Sequence, residues 1–236
     1  MSQEQHENGA RQVYNSAAAD YVAFVGTELS DKTEDAVDRS MLGAFVELAA
    51  LLDRRGPVAD LGCGPGRVAA FLARSGLQTI GIDVSPVLAR LARSAHPTIP
   101  FAAGRISALP LVDQCLGGAV CWYSIIYTPA EHLGRAFEEI SRVVSPGAPL
   151  LLAFQAGPAE PIRRSDAFGS GHPLTSFRHD PVVVGATLEA SAFAVHATTV
   201  RSPARDHEDS AQAFIVAHNR PARLAAAPDQ LTRPCR

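Results

Sequence analysis

The chain has 236 residues, 47% of them apolar, and a formal net charge of −3. This size and apolar content suffice for one large hydrophobic core, and a single α/β domain fits them better than two domains. The small negative charge gives no general attraction to phosphate backbones, so nucleic acid is not expected as a partner.

The cysteines and the apolar runs indicate the cellular setting. The four cysteines show no Cys-x-x-Cys spacing and lie mostly in apolar contexts, which favours reduced thiols in a cytoplasmic protein. No segment approaches the roughly 20 consecutive apolar residues that a membrane helix needs. We therefore expect neither secretion nor a membrane partner.

The first predicted elements are an arm and a helix. Residues 1–12 are polar and contain no apolar run, which predicts a disordered polar arm. Residues 35–53 then place apolar side chains at helical spacings, including Leu42 and Phe45. This pattern predicts an amphipathic helix that leads directly into the first strand.

Residues 58–67 have the sequence VADLGCGPGR, an apolar strand followed by an acid and three glycines. Glycine lacks a side chain, so backbone N–H groups can approach a small polar ligand closely. Nicotinamide and flavin enzymes also use such loops, and Asp60 separates the possibilities. A carboxylate there would repel the pyrophosphate of a dinucleotide and attract the ammonium and sulfonium of S-adenosylmethionine. Arg67 also stands where the dinucleotide fingerprint has its third glycine, so we predict S-adenosylmethionine as the cofactor.

Further strands are predicted after this loop. Residues 77–83 form a second buried strand ending at Asp83, 19 positions after Gly64 (83 − 64), where such folds hold a carboxylate over ribose hydroxyls. S-adenosylmethionine and the dinucleotides both contain ribose. Asp83 therefore supports this class of fold but does not discriminate between the two cofactors. Residues 101–111 hold a short third strand and its loop, and residues 118–123 form the fourth strand.

Helix starts are marked by a capping side chain followed by proline. The three predicted starts are Ser85-Pro86, Thr128-Pro129 and Asp180-Pro181. Glu131 would complete a capping box with Thr128. After this second helix, residues 149–155 are the predicted fifth strand.

The C-terminal part predicts a hairpin. Two β-rich runs, residues 192–200 and 211–217, are joined by the charged residues 205–209, which predict a solvated loop away from the strand ends. Residues 218–236 are predicted to be a disordered tail. The alternating elements predict an α/β fold: a doubly wound, Rossmann-like, seven-stranded sheet, mostly parallel with a C-terminal antiparallel hairpin and with helices on both faces.

The glycine loop, Asp83 and residues 122–129 (WYSIIYTP) together resemble class I S-adenosylmethionine-dependent methyltransferases, most closely the small-molecule enzymes of bacterial metabolism. The resemblance covers roughly residues 10–217 and implies one methyltransferase domain over residues 13–217. Within that domain, residues 13–33 look like the N-terminal lid that covers the cofactor in this family. Residues 156–179 look like an insert on the acceptor side.

The resemblance also implies which residues bind the cofactor. Arg105 departs from the family pattern, because relatives often carry Asp or a small polar residue there, facing the adenine edge. A guanidinium offers only donors, so we expect it to stack on the adenine or to face solvent, with Ile106 packing against the ring. The implied cofactor-binding residues are Tyr14, Asp60, Gly62, Cys63, Gly64, Gly66, Asp83, Val84, Arg105, Ile106, Cys121, Trp122 and Tyr123.

Methyl transfer requires the acceptor to be held in line with the methyl group and away from water. A general base is needed only where the acceptor must lose a proton, and the candidates are His172 and Tyr127, with His132 third. No acid lies between Cys121 and Thr128 to serve as the magnesium ligand of catechol-type methyltransferases. We therefore expect a metal-free enzyme acting on a small organic acceptor, as a monomer or homodimer.

Two alternatives stay open. A protein that binds S-adenosylmethionine without activity is conceivable because of Arg105. A nicotinamide-dependent oxidoreductase would explain the glycine loop, but Asp60 and Arg67 argue against it.

Overall fold

The computed structural model describes residues 2–52 and 56–220. In this part of the chain, seven strands form one sheet and two short strands form another. The strands are β1 (Val58–Leu61), β2 (Thr79–Asp83), β3 (Phe101–Ala103), β4 (Gly118–Trp122), β5 (Pro149–Gln155), β6 (Pro161–Arg164), β7 (Leu174–Phe177), β8 (Phe193–Arg201) and β9 (Gln212–Asn219).

The large sheet has the strand order β3-β2-β1-β4-β5-β9-β8. Strands β1 to β5 pair in parallel, whereas β9 pairs antiparallel with both β5 and β8. The direction of winding reverses between β1 and β4, and ligands of such sheets bind at the carboxyl ends of the strands beside this reversal. The predicted doubly wound sheet with its closing hairpin is confirmed.

Helices cover both faces of this sheet. One apolar layer contains Phe137 and Leu188, and the opposite layer contains Phe45 and Leu72, all fully buried. The helices are α1 (Gln3–Ser16), α2 (Ala18–Val25), α3 (Ala36–Ala50), α4 (Arg67–Arg74), α5 (Pro86–Ala95), α6 (Leu133–Val143) and α7 (Pro181–Ala190).

The predicted N-terminal arm is wrong for residues 3–12, which belong to α1. Ser2 accepts a hydrogen bond from the Gln5 N–H, and the Gln5 side chain accepts one from the Ser2 N–H, so a capping box starts this helix. Its Ala10 and Val13 are buried, so tertiary packing stabilises a mostly polar sequence. At the other end, β9 extends to Asn219, so the predicted tail is wrong for residues 218–219. Residues 221–236 of that tail lie outside the described residues.

Two of the three predicted helix caps are confirmed. Ser85 accepts a hydrogen bond from the Leu88 N–H, and Asp180 accepts one from the Val182 N–H. The Thr128 capping box is wrong: Pro129 has an extended ψ of 152°, a 3₁₀ turn follows over Ala130–His132, and α6 begins only after it. Asp35 caps α3, which ends at Ala50, and the predicted helix end at residue 53 lies outside the described residues.

The predicted insert, residues 156–179, contains the antiparallel strands β6 and β7, which pair outside the main sheet. Strand β7 packs against α1, so the insert and the N-terminal helices adjoin. Across residues 2–52 and 56–220, none of the helices combines the length and apolarity needed to span a bilayer.

Candidate active site

A cavity of about 320 Å³ opens at the carboxyl ends of the parallel strands. Gly62 follows β1, Asp83 ends β2 and Trp122 ends β4, and all three line the cavity. Tyr14 and Tyr21 of the first two helices and Phe168 of the insert line it as well. The cavity therefore lies beside the reversal between β1 and β4, where the fold predicts a ligand.

Most of the predicted site residues lie around this cavity, but several do not. Asp60, Cys63, Gly66, Cys121 and His172 are not part of its lining. The predicted residues that do line it are Tyr14, Gly62, Gly64, Asp83, Val84, Arg105, Ile106, Trp122, Tyr123 and Tyr127.

Asp83 is held by the backbone with its carboxylate at the cavity. One oxygen accepts a hydrogen bond from the Gly64 N–H at 2.8 Å, and the other accepts one from the Ser85 N–H at 2.7 Å. Burial raises the pKa of Asp83 to about 6, against the lowering effect of these hydrogen bonds. Each carboxylate oxygen can accept a second hydrogen bond, so this group can receive ribose hydroxyls.

Asp60 lies beneath the loop rather than in the cavity, and it is only 1% exposed. Its carboxylate accepts a hydrogen bond from the Ala69 N–H at 2.9 Å, in the first turn of α4. One carboxylate oxygen thus fixes α4 against β1, and the other, Oδ1, is buried without a hydrogen-bond partner among the described residues. A contact of Asp60 with the cofactor stays a prediction. Burial raises the pKa of Asp60 to about 7.

This raised pKa predicts that Asp60→Asn stabilises the unliganded protein above pH 7. The folded state holds the proton more tightly than the unfolded state, whose Asp pKa is about 3.9. The contribution of Asp60 to stability is therefore complete below about pH 4 and is lost as the pH rises towards 7. Urea unfolding at pH 8 should show the variant on the order of 2–4 kcal/mol more stable, and unfolding at pH 4 should show little difference. A variant less stable at pH 8 would mean that the charged form is favoured.

The glycine loop uses its N–H groups within the protein. The N–H groups of Gly62 and Cys63 donate to the Ile82 carbonyl, and that of Gly64 donates to Asp83. The expectation that these N–H groups face a ligand is therefore wrong. Of the loop's carbonyl oxygens, that of Cys63 accepts from the Gly66 N–H and that of Gly64 accepts weakly from the Cys63 thiol. The Gly62 carbonyl and the second lone pair of the Gly64 carbonyl remain as acceptors, which suit an ammonium group.

Gly62 and Gly66 are required by packing instead. A Cβ on Gly62 would lie 2.2 Å from the Ser124 Cβ, and one on Gly66 would lie 3.0 Å from the Phe101 ring. A Cβ on Gly64 would lie 3.5 Å from the Tyr21 ring, an ordinary contact distance. Tyr21 of α2 therefore covers the loop at Gly64.

Arg105 is partly buried and hydrogen-bonded to α1, a contact that the sequence did not predict, and stacking of its guanidinium on the adenine stays a prediction. Its guanidinium donates to Asn8 at 2.7 Å and to Glu7 at 3.3 Å, both on α1. Glu4 of the same helix lies 3.7 Å away. Arg105 therefore attaches α1 to the loop after β3 and closes one side of the cavity.

Aromatic side chains from the lid, the insert and the loop after β4 meet over the cavity. The Tyr14 and Tyr127 hydroxyls are hydrogen-bonded to each other. The ring centroids of Tyr14 and Tyr21 are 4.8 Å apart, and those of Tyr21 and Phe168 are 5.2 Å apart. We call Tyr14, Tyr21, Phe24, Tyr127 and Phe168 the aromatic cluster.

The phenols of this cluster are poor bases. Burial raises the pKa of Tyr127, as it raises that of Tyr14 and Tyr21. Tyr127 lines the cavity as predicted, but its hydroxyl stays protonated at neutral pH and can act as a hydrogen-bond donor. Burial likewise raises the pKa of the Cys121 thiol to about 12, which makes it inert.

The two predicted histidines lie elsewhere. The His172 ring is within 3.2 Å of the Gln12 side chain and outside the cavity lining. His132 lies in the 3₁₀ turn before α6 and is also not part of the lining. A role for either as a general base stays a prediction.

Several lining residues were missed or misplaced by the sequence analysis. His207 and Glu208 line the cavity, so the predicted solvated loop away from the strand ends is wrong. Glu208 is drawn inward by Arg201, which also binds Asp38 at the start of α3. Arg67 lines the cavity beside Glu34, with which it is ion-paired.

Two of the four non-glycine residues with positive φ in the described chain line this cavity. Tyr123 and Phe168 both have a φ of 57°, in the left-handed region that few side chains adopt. Both line the cavity, and such conformations cost about 1–3 kcal/mol each and cluster at functional sites.

Residues 58–147 match the sequence family described as a methyltransferase domain. Malonyl-[acyl-carrier protein] O-methyltransferase of Pseudescherichia vulneris is 34% identical over 101 residues, 42% of this chain and 39% of that protein. The chain spans less than half the length of the first curated relatives that it matches.

Solved structures extend the match to nearly the whole fold. The 1,6-didemethyltoxoflavin-N1-methyltransferase of Burkholderia thailandensis, solved with S-adenosylhomocysteine, superposes with a TM-score of 0.66 at 18% identity, covering 94% of this chain and 92% of that one. The [4+2]-cyclase SpnF superposes with a TM-score of 0.67 at 18% identity, covering 91% and 97%. Residues 58–147 thus match a methyltransferase domain, and the chain shares its fold with enzymes solved with S-adenosylmethionine or S-adenosylhomocysteine bound.

Proposed function

We propose that this protein transfers a methyl group from S-adenosylmethionine to a small organic acceptor. The observation that carries the proposal is that one cavity is lined both by Asp83, a carboxylate placed to bind ribose, and by the aromatic cluster. The first end suits the nucleoside of the cofactor, and the second end suits an apolar acceptor. The cavity is roofed by the lid and the insert, which would exclude water from the reaction.

The residues present fit this cofactor. Asp83 accepts the ribose hydroxyls, Val84 and Ile106 provide apolar contacts for the adenine, and the carbonyl oxygens around Gly62 and Gly64 accept from the ammonium group. The buried Trp122 Nε1 has no hydrogen-bond partner among the described residues, and Trp122 lines the cavity, so it is available as a donor to the ligand.

The cofactor supplies a methyl group already activated by positive sulfur. The protein's task is then to orient the acceptor and to exclude water, and in favourable cases such positioning contributes roughly 7–11 kcal/mol to catalysis. One of the two hydroxyls of the Tyr14–Tyr127 pair is left to donate a hydrogen bond to a ligand, and the aromatic cluster confines the acceptor. No group of this cluster removes a proton, which favours acceptors that are already deprotonated or need no base.

The metal requirement, the cellular compartment and the oligomeric state are also proposals. We propose a metal-free mechanism, since the sequence supplies no acid between Cys121 and Thr128. The net charge of −3 disfavours nucleic acid as acceptor, and the unpaired thiols of Cys63, Cys115 and Cys121 suit the cytoplasm. A monomer and a homodimer are both compatible with this scheme.

The proposal is tested by release of S-adenosylhomocysteine from S-adenosylmethionine in the presence of phenol, amine and carboxylate acceptors, with excess chelator. We expect at least one acceptor class to give turnover that chelator leaves unchanged. Tight cofactor binding with no transfer to any acceptor would favour the inactive binding protein. Loss of turnover in chelator, restored by magnesium, would contradict the metal-free mechanism.

Asp83→Ala is expected to weaken S-adenosylhomocysteine binding by about 30- to 160-fold, equivalent to about 2–3 kcal/mol, because the ribose hydroxyls lose a charged partner. Calorimetry measures this change, and circular dichroism checks that the variant folds. Asp113→Ala is the matched control, since the Asp113 side chain is 73% exposed and pairs with Arg142 away from the cavity. Equal affinity in wild type and Asp83→Ala would remove Asp83 from the site.

A further inference from the structure

The charges around the cavity leave one arginine without a protein partner. Three of the carboxylates in the lining are ion-paired: Glu7 with Arg105, Glu34 with Arg67 and Glu208 with Arg201. Asp83 is held by backbone N–H groups. Arg164 of β6 also lines the cavity, but no carboxylate of the described residues forms an ion pair with it.

Arg164 lies at the acceptor end of the cavity. It comes from the insert, as does Phe168 of the aromatic cluster, and its charge lies close enough to the Tyr127 phenol to influence its titration. Its side chain is exposed, which places the guanidinium at the mouth rather than the floor. A guanidinium binds a carboxylate in a planar, two-point geometry, and Arg164 has its donors free of other carboxylates of the described residues.

A second cation lies on the same rim. The Lys32 Nζ is 5.3 Å from the centroid of the Phe24 ring, and Phe24 in turn contacts Phe168. The bound cofactor would add a permanent positive charge at its sulfonium. Because Glu7, Glu34 and Glu208 are neutralised by their own arginines, Arg164, Lys32 and the sulfonium would supply the uncompensated charge near the aromatic cluster, which would attract an anion and disfavour a cationic amine.

We propose that the methyl acceptor is an aromatic carboxylic acid whose carboxylate is bound by Arg164 at the mouth of the cavity while its ring lies against the aromatic cluster. This inference rests on the proposed function and names the substrate class of the same site. The carboxylate fixes one end of the acceptor and directs a nucleophile at the other end, an aromatic amine or a phenol that has ionised in water, towards the cofactor. The S–CH3 bond breaks as the new bond forms, S-adenosylhomocysteine leaves, and the acceptor's proton passes to water. Arg164 is thus a residue that determines specificity and does not touch the transferred methyl.

Arg163 provides the matched control. It precedes Arg164 on the same strand, and successive side chains of a strand point to opposite faces. Arg163 is exposed and is not part of the cavity lining, so its replacement changes the net charge equally without changing the site.

The experiment titrates protein saturated with S-adenosylhomocysteine by calorimetry. The probes are hydroxybenzoates and hydroxycinnamates, each paired with its primary carboxamide. In wild type and in Arg163→Gln, we expect one or more acids to bind at least about tenfold more tightly than the matching amide. In Arg164→Gln the ratio of the amide's Kd to the acid's Kd should fall to near one. Arg164→Lys should retain part of the preference for the acid.

Three results would overturn the inference: acid and amide bind equally to wild type, no acid binds, or Arg163→Gln lowers the ratio as much as Arg164→Gln. The same titrations measure S-adenosylhomocysteine binding before the acceptor is added. If that ligand binds but acids are not preferred, only the inference fails. If that ligand does not bind, the proposed function fails as well.

Discussion

Arg201→Met is expected to lower the free energy of unfolding by about 3–5 kcal/mol, because it leaves two buried carboxylates without their cation. The Arg201 guanidinium donates to Asp38 at 2.7 Å and to Glu208 at 2.6 Å. The side chains of Arg201, Asp38 and Glu208 are only 8%, 1% and 7% exposed. Urea unfolding at pH 7 measures the change.

The matched control is Arg178→Met, which breaks an ion pair with Asp209 whose carboxylate is 57% exposed. Exposed pairs contribute about 0–1 kcal/mol, so this variant should lose little stability. Equal losses in both variants would contradict the buried network.

The pH dependence gives a second check of this network. Burial alone would raise the pKa of Glu208, but hydrogen bonds from Arg201 and the Ala204 N–H outweigh it and lower that pKa. The stability that Glu208 contributes is therefore present above its unfolded pKa of about 4.3 and is lost as the pH falls through its folded pKa. The difference between wild type and Arg201→Met should narrow at acid pH.

Gly62→Ala is expected to destabilise the fold by about 2–5 kcal/mol for two separate reasons. The added Cβ would lie 2.2 Å from the Ser124 Cβ, and Gly62 has a φ of +79°, where a side chain is strained. The same crowding should shift the loop and weaken binding of S-adenosylhomocysteine. Thermal and urea unfolding measure the first effect, and calorimetry measures the second.

Two further variants separate the causes. Gly76→Ala imposes a side chain at a φ of +89° with no atom within 4 Å of the new Cβ, so it measures backbone strain alone. Gly62→Ala combined with Ser124→Gly removes the contact and keeps the strain, so its cost should approach that of Gly76→Ala, about 1–2 kcal/mol. A Gly62→Ala variant no less stable than Gly76→Ala would show that the contact with Ser124 is not limiting.

The sheet and most helix starts were predictable because they depend on local chemistry. Buried parallel strands are continuous apolar runs, and a capping side chain before proline marks Ser85 and Asp180 without reference to the rest of the chain. The start of α1 carried the same kind of signal in Ser2 and Gln5. That signal was outweighed by the polar composition of residues 1–12, whose helix is stabilised by tertiary contacts such as Arg105 with Glu7.

The cavity was less predictable because its charged groups are paired over long sequence separations. Asp38 and Arg201 are 163 positions apart in the sequence. No local pattern indicates that they form an ion pair, or that Glu208 binds the same guanidinium and is buried with it. The loop glycines were found by their pattern, but their role was not, because the clash of a Gly62 Cβ with Ser124 depends on how β4 ends. Asp60 was likewise found by position, and only its burial and its hydrogen bond from the Ala69 N–H show that it supports α4.

The central claim is that the cavity binds the S-adenosyl cofactor. Calorimetric titration of the protein with S-adenosylhomocysteine, and separately with NAD⁺, tests it most directly. We predict a saturable, one-to-one binding isotherm for S-adenosylhomocysteine and no detectable heat from NAD⁺. Binding of NAD⁺ without binding of S-adenosylhomocysteine would contradict the claim and favour a nicotinamide enzyme.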